Sequence, residues 1–290
     1  MIKYSVIVPC FNEEKAIKIV VANLSLFLEK KMPNNYEIIV IDDGSTDKTA
    51  TILKKLDIKN YNFLQNPYNK GYGSSLKLGA KYSNGEYLIF YDGDDQHTPK
   101  NLEKLLKYSK NYEMIIGSRN KYNGPLWRQP GKKIINLIAN YLVNFKIADL
   151  NSGLRIVKKK YFNKFLHLYP DSFSLSTTIT LAFLKQGLNV KYVPIDVKIR
   201  QGKSSVKIID GFKAINLIFR IIMLFSPLKI FLPTSIIIFF AMLISLSVDF
   251  FIYNFNLSES TLILFINAIL FFFIGLIADQ LASIRREMKL

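Results

Sequence analysis

The chain of 290 residues carries 39 Lys and Arg against 22 Asp and Glu, a formal net charge of +17, yet half of its residues are apolar, which excludes a disordered polypeptide. A single cysteine, Cys10, and two histidines, His97 and His167, exclude disulfide-stapled scaffolds, multi-cysteine zinc or iron–sulfur sites and His-rich metal centres. Mean hydropathy is +0.16 despite 21% charged residues, so the apolar residues must be concentrated in particular segments.

The first apolar run, Tyr4–Cys10, is short and leads straight into Asn12, Glu13, Glu14 and Lys15, unlike a signal peptide. The N-terminal part is therefore expected to stay in the cytoplasm. Tyr4–Val8, Tyr36–Ile41, Tyr61–Leu64, Tyr87–Tyr91 and Met114–Gly117 are rich in β-branched and aromatic residues. Between them, Ala16–Leu28, Lys48–Leu56, Ser74–Tyr82 and Pro99–Tyr108 carry helical periodicity. This alternation predicts an α/β domain with a mostly parallel sheet. Asp47 is expected to cap the second helix, and Thr98 followed by Pro99 reads as a cap and first-turn pair. Ser118–Arg200 is less regular, with strands expected at Leu154–Val157 and Val190–Ile199 and a helix near Ser176–Gln186.

Ligands of such sheets gather beyond the carboxyl ends of the strands. There the sequence places Pro9-Cys10-Phe11-Asn12-Glu13-Glu14, Asp42-Asp43-Gly44-Ser45 and Asp92-Gly93-Asp94-Asp95-Gln96. Neither G-x-G-x-x-G after the first strand nor G-x-x-x-x-G-K-[ST] occurs, so phosphates must be held in another way. Asp92, Asp94 and Gln96 alternate, which on an extended segment sends their side chains to one side. Oxygen ligands alone suit Mg²⁺ or Mn²⁺, an ion that keeps waters and completes its shell with phosphate oxygens. A calcium loop fits less well, because His97 stands where that loop requires glycine. A solvated acidic turn is the plainer alternative.

Lys207–Ser226 spaces Ile208, Phe212, Ile215, Ile218, Ile222 and Phe225 among Lys207, Asp210, Lys213 and Arg220. It reads as amphipathic, lying at a membrane surface or packing on the soluble part. Ile230–Val248 and Ser260–Ala278 contain no charged residue, and each is long enough to cross a hydrocarbon core of about 30 Å. The short connection makes them an antiparallel hairpin, with burial in a soluble core as the alternative. Lys and Arg flank both spans and are absent from the loop, which places all but that loop in the cytoplasm. The expected organisation is a domain over 1–206, juxtamembrane helices over 207–227 and two spans over 228–290.

Seven short patterns occur in order: Pro9-x-Phe11-Asn12-Glu13, Asp42-Asp43-Gly44-Ser45, Asn69-Lys70-Gly71-x-Gly73, Asp92-x-Asp94-x-Gln96, Gly117-Ser118-Arg119, Asp149-x-x-Ser152-Gly153-x-Arg155 and Arg200-x-Gly202-x-Ser204. Together they resemble the family 2 glycosyltransferases of the polyprenyl-phosphate type, such as the dolichol-phosphate mannosyltransferases and bacterial polyprenyl-phosphate glucosyltransferases. The resemblance covers residues 1 to about 207, and the two-span tail is similar to the glucosyltransferase subgroup. It implies a GT-A (Rossmann-like) fold in which Pro9, Phe11, Glu13, Asp42, Asp43, Lys70, Gly71 and Asp92 hold a nucleotide sugar. It further implies that Asp92, Asp94 and Gln96 hold Mg²⁺ or Mn²⁺, and that Arg119, Arg128, Arg200, Ser204 and Ser205 receive the acceptor phosphate. Asp94 and Asp149 are the implied catalytic residues. Asp95 departs from the pattern, where relatives carry a small or apolar residue, and would either tighten ion binding or face water.

The implied reaction is inverting transfer of one sugar from a nucleotide diphosphate sugar, UDP-glucose favoured over GDP-mannose by the tail, to polyprenyl phosphate at the cytoplasmic membrane face. A divalent ion neutralises charge on the leaving diphosphate. A lipid phosphate monoester, with second pKa near ~6, is already ionised and needs little base. Arginine forks suit phosphate, and Arg119, Arg128, Arg155 and Arg200 are candidates. Asp149 is either a base or an orienter of the acceptor site. A processive polysaccharide synthase would carry Q-x-x-R-W and more spans; a membrane-tethered nucleic-acid binder would leave the carboxylates without purpose. Partners are thus donor, lipid acceptor and membrane lipid, no nucleic acid, with a homo-oligomer compatible.

Overall fold

The computed structural model describes residues 2–119, 137, 140–141, 147–198, 220, 222–251 and 257–287. The chain divides into two units, Met1–Lys207 and Ile208–Lys289.

In the first unit, β1 (Tyr4–Cys10) and β2 (Tyr36–Asp42) are buried along their whole length, as central strands covered on both faces must be. They are flanked by β3 (Tyr61–Gln65) and β4 (Tyr87–Phe90), and the sheet continues through β5 (Met114–Arg119), β6 (Arg155–Lys158) and β7 (Val190–Ile195). Strand order among the described residues is β3-β2-β1-β4-β6-β5-β7. The β1–β2, β1–β4, β2–β3 and β5–β7 pairs are parallel, whereas β6 runs antiparallel to both β4 and β5. The mostly parallel sheet is thus present, with one reversed strand near its middle. Register sets Cys10 opposite Asp42 and Ile7 opposite Phe90, so β1, β2 and β4 end on one rim.

Helix α1 (Ile17–Lys31) buries Ile17, Val20, Val21, Leu24 and Leu28, spaced three and four apart. They pack with Val6, Val8, Ile38 and Val40. Alternate strand residues Ile7 and Ile41 point to the other face, where α3 (Tyr72–Tyr82) approaches closely at Gly79; a Cβ there would collide with both isoleucines. The sheet is therefore sandwiched between helices. The described residues of this unit also include α2 (Thr49–Lys54), α4 (Pro99–Leu106), α5 (Lys159–Lys164) and α6 (Leu175–Lys185).

Helix entries differ in part from expectation. Asp47 Oδ1 accepts the Thr49 N–H at 2.9 Å, while the cap position itself falls on Lys48. Thr98 occupies the cap of α4 with Pro99 behind it, but its hydroxyl makes no cap bond. Asn101 N–H donates to the Thr98 carbonyl instead, at 2.9 Å. On the opposite rim, Glu37 is buried in β2 and accepts from Ser5 Oγ at 2.5 Å and from Asn84 Nδ2 at 3.2 Å.

In the second unit, α7 (Leu228–Phe251) and α8 (Glu259–Glu287) both contain a stretch long and apolar enough to cross a membrane. Only 11% and 22% of their most apolar windows is buried, so the apolar side chains face outward rather than filling a soluble core. Ser235 Oγ donates to Ala268 O at 2.8 Å, Ser245 and Thr261 hydroxyls meet at 2.6 Å, and Gly275 abuts Phe231. These pairs fit an antiparallel register, with small residues bringing the backbones close. Asp249 accepts the Ser258 N–H at 3.0 Å and the Thr261 hydroxyl at 2.6 Å, satisfying the start of α8. Residues 207–219 and 221, most of the expected amphipathic segment, lie outside the described residues; 222–225 are helical.

Candidate active site

The rim is built from loops that follow β1, β2 and β4. Asn12 holds the first two together: its N–H donates to Ser45 Oγ at 2.9 Å and its Oδ1 accepts the Thr46 N–H at 2.8 Å. Glu13 N–H donates to Thr49 Oγ1 at 2.9 Å. Pro9 is buried at the end of β1, whereas the Phe11 ring beyond it is 41% exposed. A cleft of about 390 Å³ lies among Gly44, Ser45, Thr46, Gln65, Asn66 and Pro67.

The adjacent carboxylates Asp42 and Asp43 have different jobs. Asp43 accepts Asn66 Nδ2–H at 2.8 Å, Lys70 N–H at 3.0 Å and Gly71 N–H at 2.8 Å, so both its oxygens shape the loop before α3. Gly71 has φ +101° and a Cβ there would strike the Asp171 carbonyl, which makes glycine obligatory. Lys70 is exposed, with Nζ 5.5 Å from the Tyr68 ring centre. Asp42 Oδ1 accepts from the Ser45 N–H at 3.1 Å and from the Ser45 hydroxyl. Asp42 Oδ2 is buried with no hydrogen-bond partner among the described residues.

After β4 the chain does not stay extended. Residues 92–96 form a bend with Asp95 at φ +57°, so the alternation expected to align Asp92, Asp94 and Gln96 is absent. Asp-Gly-Asp-Asp is turn chemistry, and Asp94 Oδ1 accepts the Gln96 N–H at 3.2 Å as in an Asx-turn. Asp92 Oδ1 accepts the Tyr72 hydroxyl at 3.0 Å, and His97 Nε2 lies 3.6 Å from Oδ2. Burial alone would push the Asp92 carboxyl up, but His97, Tyr72 and Arg119 together hold it below the usual carboxylate range. Burial and the Asp92 charge push the Tyr72 phenol well above its ordinary value. Gly153 leaves the room this carboxylate fills; any Cβ would collide with it. Asp95 turns away and pairs with Lys198 at 2.8 Å, so it neither joins the other carboxylates nor merely faces water.

Asp149 is buried and bound by a two-pronged fork, Arg119 Nε–H to Oδ2 at 2.7 Å and Nη2–H to Oδ1 at 2.9 Å. Arg155, read from sequence as a phosphate-facing candidate, is instead 1% exposed. Its donors go to Ser152 O at 3.1 and 2.5 Å, Ser176 O at 3.0 Å and Thr180 Oγ1 at 3.2 Å. It ties the 149–152 turn to α6, a burial that lowers its pKa. Arg128, Arg200, Ser204 and Ser205 lie outside the described residues.

No group of three or more His, Cys, Asp or Glu that could hold a metal by itself occurs among the described residues. The donors at Asp92, Asp94 and Gln96 are oxygens, which fits a hard cation only if waters and a ligand's own oxygens complete its shell. Tyr72, Thr180 and Lys198 are site neighbours that sequence reasoning missed. Tyr72 sat inside a quoted pattern as its variable residue, whereas nothing local marked the other two.

The family model "Glycosyl transferase family 2" matches residues 5–166, and the chain belongs to that family. The model "GtrB C-terminal hairpin" matches residues 226–284. An uncharacterised protein of Methanocaldococcus jannaschii is 33% identical over 231 residues, 75% of this chain and 90% of that one. The UDP-N-acetylglucosamine–dolichyl-phosphate N-acetylglucosaminyltransferase of Methanococcus voltae is 29% identical, covering 65% and 83%. The glucosyl-3-phosphoglycerate synthase of Mycobacterium tuberculosis shares the fold with TM-score 0.60 at 16% identity, covering 76% and 79%.

Proposed function

We propose that this protein transfers a single sugar, with inversion, from a UDP-sugar to polyprenyl phosphate at the cytoplasmic face of a membrane. The observation that carries the donor half is the buried Oδ2 of Asp42, unpartnered among the described residues, on the same rim as Asp92 and Asp94. With Oδ1 already taken by Ser45, the carboxylate offers one oxygen. Uracil presents a single ring N–H, whereas guanine presents adjacent N–H and NH₂ donors that ask for both oxygens. The favoured donor is therefore UDP-linked, as in the Methanococcus relative's name and in the mycobacterial structure with UDP-glucose and Mn²⁺. Glucose itself follows only from the hairpin.

The lipid acceptor is supported by that hairpin and by relatives named as dolichyl-phosphate and undecaprenyl-phosphate transferases. Charge asymmetry around the two spans supports the cytoplasmic orientation. In the reaction an acceptor phosphate oxygen bonds to the anomeric carbon as UDP departs. Pro9, Phe11, Glu13, Asp43, Lys70 and Gly71 form the donor-side loops. Asp92, Asp94 and Gln96 would hold Mg²⁺ or Mn²⁺ together with the diphosphate. The ion, when bound, supplies positive charge against the leaving group. Arg119, with Arg128, Arg200, Ser204 and Ser205, receives the acceptor phosphate. Asp149, both oxygens engaged, orients Arg119 rather than removing a proton.

The test is to incubate the purified full-length protein with Mg²⁺ or Mn²⁺, polyprenyl phosphate and radiolabelled UDP-glucose, UDP-N-acetylglucosamine or GDP-mannose, and to chromatograph the lipids. Label from a UDP-sugar in a lipid phosphodiester is expected. Transfer from GDP-mannose alone would refute the base assignment, and label found only in water-soluble products would refute the lipid acceptor.

A further inference from the structure

Phe173 is 79% exposed, the most exposed large apolar side chain among the described residues of the first unit. A lone apolar ring on a surface is ordinary; what sets this one apart is its mounting. It stacks on Tyr72 with ring centres 5.2 Å apart and planes 15° from parallel, and the Tyr72 hydroxyl donates to Asp92 Oδ1 at 3.0 Å. The chain that carries it is fixed on α3. Ser74 N–H donates to Asp171 O at 3.1 Å, Lys77 Nζ pairs with Asp171 Oδ1 at 2.5 Å, and a Cβ at Gly73 would strike the Pro170 carbonyl. Four residues beyond Phe173, Thr177 Oγ1 donates to Asn151 Oδ1 at 2.8 Å, and Asn151 N–H donates to Asp149 Oδ1 at 3.1 Å. Residues 171–177 thus border both the Asp92 bend and the Asp149–Arg119 pair, with Phe173 at the Asp92 end. On either side of the ring, the Ser172 and Ser174 hydroxyls meet at 2.7 Å.

We propose that Phe173 is the platform on which the sugar ring of the donor rests, with the Ser172 and Ser174 hydroxyls as polar partners at its edge. The inference rests on the function proposed above, in which Asp42 meets the base and the Asp92 bend serves the diphosphate. Strand β1 stands between β2 and β4, and β6 between β4 and β5. A donor laid from Asp42 to Asp92 therefore carries its sugar onward, toward Arg119 at the end of β5, into the space that residues 171–177 border. One face of the Phe173 ring is taken by Tyr72. The other is open to the C–H face of a pyranose, which packs on aromatic carbon while its hydroxyls turn to polar groups. Because Tyr72 already holds the ring, little freedom is lost when the sugar arrives. An isoprenoid tail has no hydroxyl with which to use the two serines, and the base is held two strands away, so the sugar is the part of the substrates that this mixed surface fits.

The test is calorimetric titration of the full-length protein in lipid nanodiscs, with Mn²⁺ present, by UDP, UDP-glucose and UDP-N-acetylglucosamine. Phe173→Ala should weaken whichever UDP-sugar the wild type binds more tightly by about two- to tenfold and leave UDP affinity unchanged. Phe173→Tyr, which keeps the aromatic face, should bind all three as the wild type does. An exposed ring contributes little to folding, so circular dichroism of both variants should stay native. Equal weakening of UDP and UDP-sugar in Phe173→Ala would mean that the ring only supports Tyr72 and Asp92, and would overturn the proposal. So would wild-type affinity for every ligand, or a raised KM for polyprenyl phosphate with donor affinity intact. A wild-type protein that binds UDP but neither UDP-sugar would overturn the platform and leave the nucleotide assignment standing. One that binds none of the three would refute the functional reading and the platform with it.

Discussion

Replacing Asp149 with Asn preserves volume and removes a charge at the residue most open to two readings. Asp149 is 3% exposed and accepts four N–H groups: Arg119 Nε at 2.7 Å, Nη2 at 2.9 Å and backbone N at 3.3 Å, and Asn151 N at 3.1 Å. An amide has one acceptor oxygen, and its NH₂ would face a guanidinium N–H. A hydrogen bond to a charged group contributes about 1.5–3 kcal/mol, and breaking a fully buried pair costs about 3–5 kcal/mol. The Arg119 side chain is 32% exposed, so water compensates part, and we expect Asp149→Asn to lose about 1.5–3 kcal/mol of stability by thermal denaturation. If Asp149 positions Arg119, acceptor KM should rise about tenfold, the effect of roughly 1.4 kcal/mol, with kcat falling only modestly. A general base instead contributes about 10²–10⁴ in kcat and leaves an ionisation in its pH profile. Steady-state rates across pH with varied polyprenyl phosphate separate the two. A thousandfold loss of kcat at unchanged acceptor KM, with the acid limb gone, would refute the orienting role.

Gly153→Ala places a methyl group where the Asp92 carboxylate sits; turnover should fall at least about tenfold while circular dichroism stays native, and wild-type turnover would mean that Asp92 is not needed where it stands. Asp42→Asn should weaken UDP binding by calorimetry about tenfold or more, because the amide nitrogen or a misplaced oxygen meets the base, yet leave stability equal or higher since Oδ2 has no partner to lose among the described residues. Glu113 sits between Lys158 Nζ at 3.1 Å and Asn189 N–H at 3.0 Å; burial opposes its charge, but these partners hold its carboxyl below the usual range. Its contribution is therefore full above the unfolded carboxylate pKa and disappears as pH falls through the lowered folded value. Glu113→Gln should cost about 1–2 kcal/mol near pH 7 and nothing in strong acid, as measured by denaturation across pH.

The central strands were legible because each is buried on both faces and so reads as a continuous β-branched run flanked by turn residues. Tyr4–Cys10 and Tyr36–Asp42 carry that pattern with no ambiguity of period. The placement of β6 was not legible. Its four residues announce a strand, but pairing antiparallel to β4 and β5 across more than sixty and thirty intervening positions is a property of the closed sheet. The membrane-length helices were visible for the opposite reason, since a long uncharged run needs no partner to be recognised.

Charges were the least readable part of the site, because a sequence shows where a charge stands and not what receives it. Arg155 was read as a candidate phosphate ligand, yet the Ser152 and Ser176 carbonyls and the Thr180 hydroxyl fold around it. Asp42 and Asp43 are chemically identical neighbours, and only the loop arriving at Asn66–Gly71 makes the second structural and leaves the first with an oxygen unpartnered among the described residues. The period-two reading of Asp92, Asp94 and Gln96 failed because turn-forming residues outweigh alternation over so short a stretch, and Asp95 took a left-handed backbone. That bend has a chemical consequence. It lets Tyr72 and Gly153 fix Asp92 from two sides while Asp95 leaves for Lys198, so the rim holds fewer converging carboxylates than its sequence suggests. Under the proposed function, a rim with so few converging carboxylates among the described residues suits a cation that arrives with a diphosphate, and ion affinity is then expected to depend on the donor. Titrating Mn²⁺ with and without UDP should therefore show markedly tighter ion binding in the presence of the nucleotide, and equal affinity in both would contradict that dependence.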